Sequence, residues 1–131
     1  MKKTFARVCS LLLVAVMLFS LSSCVIVKVP EGEIAAEFHY SDIDISTQLS
    51  AEDADLVREL FNGKIMLPES PSCGFGEDTA LIVDGCTYCI ASDTCGIIYV
   101  LEEDKYFHLS DDEIKTLHSL LAEYGFKFPC I

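Results

Sequence analysis

Two thiols three residues apart, Cys86-Thr87-Tyr88-Cys89, form the tightest group of reactive side chains in the chain. A C-x-x-C pair suits zinc binding or thiol–disulfide exchange. The residues around it point elsewhere. Thr87, Tyr88 and Ile90 favour a strand. Residues three apart on a strand face opposite sides, so the thiols should diverge. A zinc knuckle needs a turn here, and a redox pair usually opens a helix. Asp84 also sits close enough to raise a thiol pKa, because a negative neighbour disfavours thiolate. A thiol oxidoreductase or metal-binding domain using Cys86 and Cys89 is therefore the alternative reading.

Other reactive types are less organised. His39 and His108 fall at outward positions of strand-like segments, and the histidines form no H-x-x-x-H or H-E-x-x-H. Asp42, Asp44, Ser46 and Asp53 mimic the spacing of a calcium loop, but Thr47 occupies the place that needs glycine. Ile43 and Ile45 suit a strand instead. Gly74-Phe75-Gly76 has no following Lys, so it is not a phosphate loop, and G-x-S-x-G is missing. No catalytic or metal-ligand set emerges, and no cofactor is expected.

The elements that would carry these residues can be read from periodicity. Ile34, Ala36, Phe38 and Tyr40 alternate with polar residues, and Asp42 to Ile45 continues the pattern. Ser50 caps a helix over 51–61 with Ala54, Val57, Leu60 and Phe61 inward, and Asn62-Gly63 stops it. Thr79 to Val83 and Cys86 to Ala91 form a hairpin around Asp84-Gly85. Gly96 to Leu101 and Tyr106 to Leu109 are further strands. Ser110-Asp111-Asp112-Glu113 is a capping box opening a helix over 111–124. The expectation is α+β: a small, mainly antiparallel sheet with two helices packed on one face.

The hairpin bears on the remaining thiols. With Val83 facing Cys86, continued pairing would carry Cys73 beside Cys95, the first choice for a disulfide. Cys130, on the tail after Gly125, could close a second bridge with Cys86 or Cys89. Five cysteines follow Cys24, so at least one thiol stays unpaired within the chain.

The first residues set the cellular context. Lys2, Lys3 and Arg7 precede an apolar run from Val8 to Leu21, the layout of a secretory signal. The run ends Leu21-Ser22-Ser23-Cys24, which resembles the lipobox of bacterial lipoproteins. That resemblance, confined to residues 1–24, implies a diacylglycerol on the Cys24 thiol and cleavage before it. It implies a lipid-anchored protein on the extracytoplasmic side of the cell membrane, where disulfides form. Residues 24–32 would be the lipidated tether, extended to roughly 30 Å, or Val25 to Val29 would join the sheet or lie at the membrane interface. Residues 33–131 would be a single domain. Tyr88-Cys89, Asp93-Thr94-Cys95 and Phe128-Pro129-Cys130 together resemble a small domain of uncharacterised bacterial lipoproteins, a likeness that implies no activity.

All 21 acidic residues follow Cys24, against six basic ones, a formal charge of −15 for that part and −12 for the whole chain. Such a surface repels nucleic acid and anionic headgroups. The expected function is a non-catalytic module binding a protein or envelope component, inhibition of a secreted enzyme being one form of it. The candidate contact loop runs from Pro68 to Asp78, with Phe75 as anchor and Glu77 and Asp78 facing a basic partner.

Overall fold

The structure, a computed structural model, describes residues 25–68, 75 and 77–128. Six strands form one antiparallel sheet: β1 Ala35–Tyr40, β2 Ile43–Gln48, β3 Thr79–Val83, β4 Cys86–Ile90, β5 Ile97–Val100 and β6 Lys105–His108. Their order across the sheet is β2-β1-β3-β4-β5-β6. Helix α1, Ala51–Phe61, joins β2 to β3, and helix α2, Asp111–Glu123, follows β6. The fold is α+β, with an antiparallel sheet and two helices.

The core forms where the apolar halves of these elements meet. Cross-strand pairs stack Ala36 on Leu81, Leu81 on Tyr88, Ile90 on Ile98 and Ile98 on Phe107. Directly opposed residues point to the same side of a sheet, so these side chains form one continuous apolar face. Phe61 of α1 lies 5.5 Å from the Tyr88 ring and 5.0 Å from Phe107. Helix α2 buries Ile114, Leu117, Leu120 and Leu121, the spacing of a single helical stripe.

Local chemistry sets the corners. Asp84 and Gly85 have φ of 47° and 76°, the two left-handed residues of a tight hairpin turn. The turn fixes Val83 opposite Cys86 and Ala80 opposite Cys89, the expected register. Ser50 accepts the Asp53 N–H at the start of α1. At α2 the full capping box forms: Glu113 N–H donates to Ser110 Oγ, and Ser110 N–H donates to the Glu113 carboxylate. Gly96 is required by close approach, since a Cβ there would collide with the Leu109 carbonyl.

Residues 25–29 differ from a free-standing tether. Val27 N–H donates to Lys64 O (2.8 Å), Gly63 N–H to Val27 O (3.0 Å) and Met66 N–H to Val25 O (2.9 Å). Val27 and Val29 are buried in the core, and Val29 N–H donates to Asn62 Oδ1 at the end of α1. Leu67 in turn exchanges backbone bonds with Tyr106 of β6. The domain therefore begins by residue 25 rather than residue 33. The physical reason is the alternation of Val25, Val27 and Val29, which gives this short segment an apolar side to bury.

Candidate functional site

Strand β4 carries both thiols of the C-x-x-C, and the pleat sends them to opposite faces. Cys86 sits at the hairpin end on the core side, opposite Val83. Cys89 lies on the other face, opposite Ala80 and Tyr99, and is 1% exposed. Burial pushes the Cys89 thiol up to about 11, with Glu77 and Glu102 adding to the shift. Burial likewise raises Cys86, followed by Glu102, Asp84 and Glu103. Both thiols are thus held protonated at neutral pH. Among the described residues no group of three or more His, Cys, Asp or Glu side chains converges as metal ligands would.

The β3–β4 register is described from Ala80–Cys89 to Val83–Cys86. β3 pairs with one edge of β4, whereas β5, starting just after residue 96, pairs with the other. The chain turns at 92–94 between β4 and β5, and the expected Cys73–Cys95 bridge involves a residue, Cys73, outside the described ones. Cys95 sits half-buried in this turn, its N–H bonded to Asp93 Oδ1. Cys24, Cys73 and Cys130 lie outside the described residues, as do residues 1–23, expected to be a signal, and most of the loop from 69 to 76.

Phe75, the expected contact residue, packs against its own sheet. Its ring is half-buried, 5.5 Å from Tyr106 and 6.1 Å from Tyr99, which stack on each other at 4.7 Å. These tyrosines stand on the sheet face away from the helices, and the Phe75 ring packs beside them with part of its surface open. Glu77 and Asp78 are exposed at the entry to β3, and the Asp78 carbonyl accepts the His39 N–H (2.7 Å). His39 itself bonds Asp44 at the strand surface (2.5 Å).

A cleft that the motifs did not reveal opens along α2. Its volume is about 530 Å³, within the range of small-ligand sites. Ile114, Ala122, Phe126 and Phe128 supply apolar walls, His118 the polar centre, and Lys115 stands at the exposed rim. The His118 ring stacks against Phe128, with centroids 3.9 Å apart and planes at 19°. His118 is 5% exposed, and its Nε2 is buried with no hydrogen-bond partner among the described residues. Burial holds its pKa below the ordinary value, and the negative charge of Asp93 opposes this only in part. The imidazole is neutral near pH 7, so it can either donate or accept a hydrogen bond. A buried polar atom left unpaired is uncommon and costly, on the order of 1–3 kcal/mol.

The signal for His118 was present in the sequence. Ile114, His118 and Leu121 are spaced four and three apart, so His118 falls on the inner stripe of the helix. Catalytic-motif patterns do not register a lone histidine, and the cleft wall from Phe126 to Phe128 depends on how the tail folds back.

No protein-family model matches the chain, and neither a curated protein nor a solved structure matches it.

Proposed function

We propose that this chain is an extracytoplasmic lipoprotein, anchored to the cell membrane through acyl chains on Cys24, whose domain is a non-catalytic binding module for a protein or envelope component. The observation that carries the binding reading is the cleft along α2, with apolar walls around the unpartnered Nε2 of His118. Its chemistry suits an apolar group, such as an aromatic or branched side chain, bearing one hydrogen-bonding atom. A partner that engages His118 displaces the Phe128 ring stacked on it. The contact site in this reading lies along α2 rather than at Phe75, Glu77 and Asp78. The divergence and raised pKa of Cys86 and Cys89 weigh against a thiol oxidoreductase, which needs an accessible thiolate.

Ala122 is exposed and lines the cleft, so Ala122→Trp fills it without touching the core. A partner captured from envelope extract by the wild-type protein should be lost with this variant. Equal capture by both would move the binding surface elsewhere. Cys24→Ala should shift the protein from the membrane to the soluble fraction, and retention at the membrane would overturn the anchor.

A further inference from the structure

The strand pairing at the start of the domain places an apolar strip directly beside the anchoring residue. Ile26 pairs with Ile65, and Leu67 pairs with Tyr106. Opposed residues share a side, and residues two apart in an extended segment share it too. Ile26, Ile65, Leu67 and Tyr106 therefore face the same way, opposite to the buried Val27 and Val29. Tyr99 and Phe75 continue the strip through ring contacts. Ile26, Ile65 and Leu67 are 57%, 53% and 39% exposed, three of the four large apolar side chains left open to solvent among the described residues; the fourth is Tyr40.

We infer that this strip is a membrane-seating face, which rests on the lipid anchor at Cys24 and adds the orientation of the domain. The occupant is the interfacial layer of the bilayer that holds the acyl chains. Cys24 is bonded to Val25, and the Val25 carbonyl is pinned to the Met66 N–H at 2.9 Å. No spacer separates the anchor from the folded body. The headgroup layer is about 5–8 Å deep on each side of the hydrocarbon core, and a β-bridge sets neighbours about 5 Å apart. Ile26 and Ile65 are thus held at headgroup depth by the covalent chain. Tyrosine suits this layer because its ring is apolar and its hydroxyl is wet. Lys28 lies two residues beyond Ile26 on the same exposed side. Its stem can lie along apolar surface while its amine reaches lipid phosphate. The acyl chains hold the protein at the bilayer, and the strip selects which face turns down, leaving the α2 cleft on the other side of the sheet open to the aqueous phase.

The chain contains no Trp, so one introduced Trp is an unambiguous reporter. Full-length protein bearing Leu67→Trp, processed in the cell and reconstituted into phosphatidylcholine vesicles, should show blue-shifted emission and strong quenching by lipids brominated near the headgroup. Tyr40→Trp, at the β2 end of the sheet, should remain red-shifted and unquenched. Folding of both variants is checked by circular dichroism. Mass spectrometry reads the lipid on Cys24 independently. If the lipidated Leu67→Trp variant gives the same emission and quenching as Tyr40→Trp, the seating face is overturned while the anchor stands. Protein without lipid overturns both. A blue shift that requires no vesicles and grows with protein concentration assigns the strip to a second copy of the chain and overturns membrane seating.

Discussion

The ring of Phe128 lies 3.9 Å from that of His118 and nearly parallel to it, which closes one side of the imidazole to water. Protonation of His118 would place a charge where Nε2 has no partner among the described residues. The folded-state pKa is lowered, chiefly by burial. Its contribution to stability is therefore present above the ordinary histidine value near 6.5 and lost as pH falls through the lowered folded-state value. His118→Leu removes that dependence while keeping an apolar contact with Phe128. Calorimetry should show a smaller fall in Tm between pH 7 and pH 5 for the variant than for the wild type. At pH 7 its stability should equal or exceed the wild type, since an unpaired polar atom has been removed.

Cys89 should resist alkylation in the folded protein. With a pKa of about 11, its thiolate fraction at pH 7 is on the order of 10⁻⁴. Iodoacetamide labelling followed by peptide mapping should give slow modification of Cys86 and still slower modification of Cys89. Both should react quickly in denaturant. Rapid native labelling of either would restore the oxidoreductase reading.

The segment that opens the domain should contribute measurably to stability. Val27 and Val29 are 2% and 3% exposed. Truncating both to Ala removes four methyl equivalents, about 3 kcal/mol at 0.8 kcal/mol each. That is a large share of the roughly 5–15 kcal/mol typical of a domain. Urea unfolding of Val27→Ala/Val29→Ala should show the midpoint lowered accordingly. A free spacer would show no change.

The two helices are joined at the surface by Tyr124. Its hydroxyl accepts the Ser50 N–H (2.8 Å) and donates to Asp53 Oδ2, linking the end of α2 to the start of α1. The Tyr124 bond, and then that from Ser50, lowers the Asp53 pKa. Tyr124→Phe should cost about 1 kcal/mol. A double-mutant cycle with Asp53→Asn should show the two effects to be non-additive, because the residues share one bond.

Much of the fold was legible because its signals are local. The alternation from Ile34 to Tyr40, the Asp84-Gly85 turn and the Ser110–Glu113 box each involve partners a few residues apart. Their chemistry sets strand, hairpin and helix limits wherever the rest of the chain lies. The divergence of Cys86 and Cys89 followed from the same period-two rule. The candidate site was less legible. Phe75, expected to face a partner, also packs beside the Tyr99–Tyr106 pair of its own sheet, a contact that no local pattern announces.

Taken alone, the sequence determined the element types, the hairpin register, the helix caps and the acidic balance of the chain. Tertiary structure alone decided the strand order, the docking of 25–29 against 63–66, and the burial of His118 beneath Phe128. The reason is range. A cap or turn is settled by bonds across three or four residues, while the Val27–Lys64 and Lys64–Glu113 contacts join residues 37 and 49 apart. Contacts of that span depend on which apolar faces meet when the whole core closes, and no single segment carries that information.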